Sequence, residues 1–241
     1  MTKRQQTILV LISANAEWQI IRTLFPYNES QPSPLGEWFT TNLTIDGNVE
    51  PVIFFHGGWG KIAASASAQY VIDRWSPELI INLGTCGGFA GEIEKGTILL
   101  VERTVVYDIL EQMSDSEAAI AHYTITLDLS WIGEVPPCPV LRSLLVSADR
   151  DIVGEDIPYL KTKFGAVAAD WESGAIAYVA NRNRIRCLIL RGVSDLVGSS
   201  GGEAYGNLDL FIEGTTQVLR RLVEVLPAWI ARLHHYREAA S

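Results

Sequence analysis

The sequence predicts an α/β protein whose central sheet is mainly parallel and flanked by helices. Apolar runs rich in β-branched residues recur along the chain, and several lack the alternation of a half-exposed strand. Continuous runs of this kind are typical of strands that are covered on both faces. Helical patterns lie between many of the runs, and strands that alternate with helices favour a parallel sheet.

The predicted elements follow one another in a regular order. Strands are expected at Ile8–Ile12, Pro51–Phe55, Leu79–Leu83, Thr97–Val101, Leu144–Ser147, Gly165–Ala169 and Cys187–Leu190. Helices are expected at Ala16–Leu24, Lys61–Trp75, Glu172–Asn181 and Leu208–Leu233, with Pro227 as a candidate interruption of the last. The segments Pro26–Gly36 and Val106–Pro139 are less regular, and we expect lids or interface loops there. No repeat or linker divides the chain, so we predict one domain over residues 1–241.

The composition argues against several classes of protein. The chain has 241 residues, of which 48% are hydrophobic and 20% charged, so it can bury a large core. A formal net charge of −9 argues against a nucleic-acid partner, because phosphate backbones are bound by clustered lysine and arginine. The cysteines have no C-x-x-C spacing and the histidines are scattered, so we expect no metal and no cofactor. The N-terminal apolar run is too short for a signal peptide, and no segment approaches the length of a membrane span. We therefore expect a soluble cytoplasmic protein without a membrane partner.

Acidic residues stand at the ends of predicted buried strands. Asp170 and Glu172 follow the run that ends at Ala169, Asp195 follows the last run and Glu17 follows the first. A carboxylate at the end of a buried strand is costly unless it has a partner or a task. Ligands bind at the carboxyl ends of the strands in open α/β sheets. The sequence therefore predicts one pocket that contains these acids.

Two glycine-rich segments follow predicted strands, but neither fits a known phosphate-binding motif. Gly57–Lys61 lacks the spacing of a Walker A loop, and Gly84–Gly88 lacks the spacing of a dinucleotide-binding loop. Tight turns that need unusual backbone angles and a close approach of a flat ligand are equally good interpretations. Cys86 lies in the second segment, where a small packed residue is a better interpretation than a nucleophile.

Taken together, the motifs resemble those of the purine nucleoside phosphorylase superfamily, and most closely its nucleosidases that cleave 5′-methylthioadenosine and S-adenosylhomocysteine. The resemblance covers most of the chain and rests on residues 12–17, 58–64, 81–88, 146–149, 170–172 and 191–195. It implies a three-layer α/β/α fold with a mixed, largely parallel central sheet. It also implies a homodimer in which a neighbouring subunit helps to close the 5′ pocket, and the loop Leu110–Met113 is our candidate for that contact.

The resemblance assigns catalytic roles to the acids. Asp195 matches the general acid that protonates N7 of the base, and Ser194 is a polar neighbour that could favour the protonated carboxyl. Glu17 matches the acid/base that orients and deprotonates the attacking water. Glu172 matches the carboxylate that binds the ribose 2′- and 3′-hydroxyls and stabilises positive charge on the sugar.

Further positions match the family's substrate-binding residues. Thr85 and Gly87 match the turn beside the ribose and base, and the main chain of Ile152 matches the group that reads the adenine edge. Trp171 stands where these nucleosidases usually carry methionine, and it would pack against the sugar or base. Asp151 stands where they usually carry an aromatic residue that stacks on adenine. These two departures leave open another 5′-substituted nucleoside, such as a futalosine-type compound.

One position favours water over phosphate as the nucleophile. In the phosphorylases an arginine just before the glycine turn binds phosphate, and here Asn82 takes that place. Only Lys61 stands nearby as a cation that could replace it. We therefore predict a nucleosidase that hydrolyses the N-glycosidic bond of a small-molecule nucleoside. A phosphate-dependent phosphorylase and a catalytically weak nucleoside-binding homologue are the alternatives.

Overall fold

The structure, a computed structural model, describes residues 7–240 of the chain. Its strands are β1 Ile8–Ile12, β2 Gln31–Ser33, β3 Gly36–Ile45, β4 Asn48–His56, β5 Leu79–Phe89, β6 Ile98–Val106, β7 Ile125–Thr126, β8 Leu141–Ser147, β9 Ala168–Asp170, β10 Arg186–Gly198 and β11 Gly201–Gly202. Its helices are α1 Asn15–Leu24, α2 Lys61–Trp75, α3 Ser116–His122, α4 Ile157–Phe164, α5 Ser173–Arg182 and α6 Leu208–Ala240.

The strands form one mixed sheet that is partly closed on itself. β1 pairs in parallel with β4 and β5, and β5 also pairs in parallel with β10. From β10 the sheet continues through β6, β8 and β9, and β9 returns to pair with the last part of β5. Five strands therefore close into a ring, in the order β5, β10, β6, β8 and β9. An open sheet extends from this ring through β1, β4, β3 and β2.

Helices cover both faces of the sheet. Alternate side chains of β1 point to opposite faces: Ile8, Val10 and Ile12 pack in one core cluster, and Leu9 and Leu11 pack in another. The first cluster contains the apolar faces of α1 and α6, and the second contains those of α2 and α5. This arrangement confirms the predicted α/β fold with helices on either side of a central sheet.

Several element boundaries differ from the sequence predictions. The long strand β3 was not predicted, because its side chains alternate between buried and exposed positions and include polar residues. It joins β4 through Asp46 and Gly47, whose φ angles of 48° and 81° suit a two-residue hairpin turn. The predicted strand Gly165–Ala169 is wrong in its first half. Gly165 instead ends α4 in a left-handed conformation, and β9 begins at Ala168.

The last helix runs through the proline that was expected to interrupt it. Pro227 lies inside α6, although proline removes a helical hydrogen bond. Leu226, Trp229 and Ile230 are fully buried on either side of it. We infer that this burial offsets the lost hydrogen bond.

The described residues contain no helix that is long and apolar enough to cross a membrane. The same part of the chain holds no group of three or more His, Cys, Asp or Glu side chains arranged to bind a metal ion.

Candidate active site

A cavity of about 390 Å³ lies where the carboxyl end of β1, the second half of β5, the end of β9 and the last part of β10 meet. Its size is typical of sites for small molecules. The cavity brings together every site residue predicted from the sequence: Glu17, Thr85, Gly87, Asp151, Ile152, Trp171, Glu172, Ser194 and Asp195. The predicted convergence of acids from different strands is therefore present in the folded chain.

Glu17 connects the start of α1 to the glycine-rich part of β5. Its Oε1 accepts hydrogen bonds from the backbone N–H of Thr85 at 2.6 Å and from the Thr85 hydroxyl at 2.9 Å. Its Oε2 accepts one from the backbone N–H of Ala14 at 3.3 Å, which closes the first turn of the helix. The same carboxylate thus caps a helix and faces the cavity.

Glu172 and Asp170 share a fully buried arginine. Nη2 of Arg191 lies 2.9 Å from Oδ2 of Asp170 and 3.9 Å from Oε2 of Glu172. The guanidinium also donates from Nε to the Ser173 hydroxyl at 2.9 Å and from Nη2 to Oδ1 of Asn82 at 2.8 Å. The sequence marked Asp170 only as a costly acid, and it did not predict the contacts that Arg191 makes with Asp170 and Asn82. The ion pair with Arg191 is what offsets that cost.

One nitrogen of this arginine lies beside Gly84, on the side where Glu17 approaches. Among the described residues, Nη1 of Arg191 has no hydrogen-bond partner although it is buried. A side-chain carbon built on Gly84 would lie 1.7 Å from Nη1 and 2.8 Å from Oε1 of Glu17. The missing side chain at position 84 therefore leaves room for the guanidinium to approach the Glu17 carboxylate. Gly84 lies within β5 and is required by close packing against Arg191, a reason that neither interpretation of the sequence included.

The environment of Glu172 favours its protonated form. Burial, the largest cause, and the negative charge of Asp170 together raise the pKa of Glu172 to about 8. Arg191 and the backbone N–H of Gly60, which donates to Oε1 of Glu172 at 3.0 Å, oppose this shift. Glu172 is therefore a carboxyl group that can gain negative charge when a positive charge forms beside it.

Asp195 lies inside β10, not after the end of a strand as predicted. β10 continues to Gly198, and its pairing with β5 shifts register between Val193 and Asp195. This bulge turns Asp195 into the cavity. Burial raises the pKa of Asp195, and the hydrogen bond that the Ser194 hydroxyl donates to Oδ1 at 2.7 Å partly opposes the rise. The net effect favours a protonated carboxyl, but Ser194 acts against it, contrary to the sequence prediction.

The wall near Asp195 is formed by the segment after β8 and by the segment before α6. The hydroxyl of Tyr205 donates a hydrogen bond to the backbone carbonyl of Ile152 at 2.9 Å. Gly87 also needs its small size, since a side-chain carbon there would lie 2.8 Å from Cδ1 of Ile152. Asp151 lines the same wall, and its negative charge also raises the pKa of Asp195. Tyr205 was not predicted as a site residue, and no local motif marks it.

The wall beside Glu172 is aromatic. The rings of Trp59 and Trp171 lie 5.3 Å apart at an interplanar angle of 59°, and both line the cavity. Lys61, the cation that the sequence placed nearby, binds Asp108 and lies 3.8 Å from Asp149. Its charge is therefore already balanced by two carboxylates.

Comparison with known proteins places this chain in a family. Residues 8–231 match the family model described as the phosphorylase superfamily. The chain belongs to the phosphorylase superfamily, which confirms the resemblance seen in the motifs.

Individual relatives agree with the family match. The 5′-methylthioadenosine/S-adenosylhomocysteine nucleosidase of Tolumonas auensis is 25% identical over 166 residues, which cover 64% of this chain and 72% of the relative. A crystal structure of the nucleosidase of the same name from Helicobacter pylori, with butyl-thio-DADMe-Immucillin-A, has a TM-score of 0.76 at 17% identity and covers 93% of this chain and 99% of that chain. The structure of a futalosine hydrolase mutant from Helicobacter pylori has a TM-score of 0.72 at 17% identity, and the match covers 95% of this chain and 99% of that chain. The two solved structures establish the fold.

Proposed function

We propose that the protein is a nucleosidase that hydrolyses the N-glycosidic bond of a 5′-substituted purine nucleoside. The observation that carries the proposal is the convergence of Glu17, Glu172 and Asp195 on one cavity of suitable size. These three groups supply what the reaction needs: a proton for the base, a negative charge beside the sugar and a base for water.

Asp195 is the proposed general acid. Hydrolysis breaks the C1′–N9 bond, and its electron pair moves onto the base. A protonated Asp195 delivers its proton to N7, so that the base leaves as a neutral molecule. Burial favours the protonated carboxyl that this step requires, because it raises the pKa of Asp195.

Glu17 is the proposed water-binding group. Its carboxylate lines the cavity, where Oε1 also accepts hydrogen bonds from Thr85. A water molecule in the cavity would donate to this carboxylate. The water oxygen then bonds to C1′ while Glu17 takes its proton.

Glu172 is the proposed sugar-binding carboxylate. It accepts hydrogen bonds from the ribose hydroxyls and faces the positive charge that grows on the sugar as the bond breaks. A pKa of about 8 means that this charge can draw Glu172 into its ionised form. The attraction is then stronger in the transition state than in the ground state, which is what accelerates a reaction.

Two observations favour water over phosphate. Asn82 is fully buried, donates to the backbone carbonyl of Leu11 at 3.1 Å and accepts from Arg191. Lys61 is bound to carboxylates, as described above. A phosphate dianion would need an uncommitted cation at this place. A phosphate-dependent phosphorylase is the second candidate, because Nη1 of Arg191 has no hydrogen-bond partner among residues 7–240.

The proposed substrates are 5′-methylthioadenosine and S-adenosylhomocysteine or a close relative of them. The names of the curated relatives and the match of the three acids support this choice. Asp151 and Trp171 differ from the residues expected of those nucleosidases, so a futalosine-type nucleoside is the alternative. We further propose a cytoplasmic homodimer in which a partner subunit covers the exposed loop around Leu110 and Met113.

A panel of nucleosides tests the proposal. Purified protein is incubated with 5′-methylthioadenosine, S-adenosylhomocysteine, adenosine, inosine and futalosine, and release of the free base is measured. We expect rapid release from at least one 5′-substituted nucleoside and slower release from adenosine and inosine. Binding of these compounds without any release would instead support the nucleoside-binding homologue.

A further inference from the structure

Trp59 is an exposed tryptophan on the wall of the cavity, and the proposed reaction does not yet use it. Its side chain is 58% exposed although it lines the site. Gly58 and Gly60 on either side have φ angles of 77° and 84°, which other residues rarely adopt. These two glycines shape the backbone that presents the indole ring at the mouth of the cavity.

Trp59 lies close to Glu172, the proposed sugar-binding residue, through contacts made by neighbouring residues. The backbone N–H of Gly60, the residue after Trp59, donates to Oε1 of Glu172. Trp171, the residue before Glu172, contacts Trp59 at a ring distance of 5.3 Å. We call these two residues the tryptophan pair. The pair therefore stands beside the sugar carboxylate, whereas Asp195, Asp151 and Tyr205 form the wall assigned to the base.

The basic side chains of Lys61 and Arg150 are already paired with carboxylates. Lys61 is paired with Asp108 and Asp149, and Arg150 on the cavity wall forms an ion pair with Asp156 at 3.0 Å. A zwitterionic amino-acid group on the substrate would have to compete with these pairs. An apolar ring would instead gain contact with two indoles, because aromatic rings attract one another in tilted and offset arrangements.

We propose that Trp59 is a specificity-determining residue, and that the tryptophan pair selects purine nucleosides with an aromatic 5′-substituent. This inference rests on the proposed function, since it assigns the ribose to Glu172 and the base to the wall that carries Asp195. A substrate bound in this way directs its 5′ group to the tryptophan pair. Such nucleosides are preferred over those with a 5′-hydroxyl or a 5′-amino-acid group.

The test measures binding separately from chemistry. Dissociation constants are determined in the Asp195→Asn background for 5′-phenylthio-5′-deoxyadenosine, 5′-methylthioadenosine, adenosine and S-adenosylhomocysteine. The same series is repeated with Trp59→Ala, with Trp59→Phe and with Trp59→Leu, which keeps apolar bulk without a ring. Tyr27→Ala serves as the control, because Tyr27 is 99% exposed and lies outside the cavity wall. Base release by the protein with Asp195 intact is measured in parallel.

We expect the phenylthio compound to bind at least about 10-fold more tightly than adenosine, and Trp59→Ala to remove about 10-fold of its affinity. Trp59→Ala should change the affinity for adenosine by less than about 2-fold. Trp59→Phe should retain most of the preference for the phenylthio compound over adenosine, whereas Trp59→Leu should retain little of it. Equal weakening of all four ligands, or tighter binding of S-adenosylhomocysteine than of the phenylthio compound, would overturn the inference. Selective binding with no base release would support the tryptophan pair and contradict the proposed hydrolysis.

Discussion

Glu172 and Asp195 are both buried carboxyl groups with a raised pKa, but their neighbours suit them to different tasks. Glu172 lies beside Asp170 and Arg191, so its ionisation responds to charge inside the cavity. Asp195 is raised in pKa by burial and by the charges of Glu203 and Asp151, against the hydrogen bond from Ser194, so it tends to hold its proton. One group is suited to stabilise a cation, and the other is suited to give a proton away.

Replacing Asp195 tests the general acid. Asp195→Asn keeps the size of the side chain and an acceptor for the Ser194 hydroxyl, but it cannot protonate the base. We expect kcat to fall by about 10²–10⁴-fold with little change in the dissociation constant of the substrate. Turnover equal to that of the unaltered protein would contradict the assigned role.

The same assignment predicts a pH dependence. The acid must be protonated, and its raised pKa extends the protonated form to a higher pH than an ordinary aspartate allows. We expect kcat/KM to decrease as the pH rises through the pKa of Asp195 in the free protein. The residual activity of Asp195→Asn should lack this alkaline decrease, which a rate profile on both proteins will reveal.

Glu172 should reduce stability at neutral pH. Its pKa is about 8 in the folded protein and about 4.5 when unfolded, so between these values the folded state binds more protons than the unfolded state. The contribution of Glu172 to the free energy of unfolding therefore decreases as the pH rises from about 4.5 to 8. Glu172→Gln keeps an acceptor for Gly60 and should raise the melting temperature at pH 8 by at least about 2 °C, with a smaller effect at pH 4.5. The exposed Glu29→Gln is the control, and an equal shift in both variants at both pH values would contradict this explanation.

At the scale of single elements, β5 and β10 carry the site, and both are longer than the sequence predicts. Their first halves are apolar runs, which the sequence makes obvious, whereas the second halves contain glycine, serine and aspartate. Those residues have low strand propensity, so the pattern indicated turns where the strands actually continue. The acids themselves were recognised through their motifs. The buried network of Asp170, Arg191 and Asn82 was missed because its contacts join residues far apart in sequence.

Gly84 in β5 should be intolerant of any side chain. Gly84→Ala would force a carbon atom onto Nη1 of Arg191, so the buried ion pair with Asp170 must move. We expect the free energy of unfolding to fall by at least about 3 kcal/mol, and activity to be lost with it. Gly198→Ala in β10 is the matched control. The nearest atom to its new side-chain carbon would be 3.4 Å away, so its unfolding free energy should change by less than about 1 kcal/mol. Similar unfolding free energies for the two variants would rule out this explanation.

At the scale of the whole molecule, the fold class follows from repeated apolar runs, but the closure of the sheet does not. Strand order depends on pairings such as β9 with β5 and β6 with β10, which bring together segments distant along the chain. No local pattern specifies these pairings. The ring of strands matters for function because it brings the ends of β1, β5, β9 and β10 around one cavity.

The proposed homodimer gives a prediction at the same scale. Leu110 and Met113 are 83% and 97% exposed, which is unusual for two apolar side chains in one loop. We expect sedimentation to show a dimer, and Leu110→Asp to shift it toward monomer and raise KM more than it lowers kcat. The control is Val49→Asp, an exposed apolar position on the β3–β4 hairpin that should leave the dimer intact. A monomer in the unaltered protein would contradict the proposed assembly.

In the proposed reaction, water cleaves the glycosidic bond without the help of phosphate. The most direct measurement is to incubate the protein with 5′-methylthioadenosine, or with the best substrate of the panel, in phosphate-free buffer and in buffer with added phosphate, and to identify the sugar product. We predict free 5-substituted ribose at the same rate in both buffers. Release that requires phosphate and yields the sugar 1-phosphate would contradict hydrolysis and support a phosphorylase.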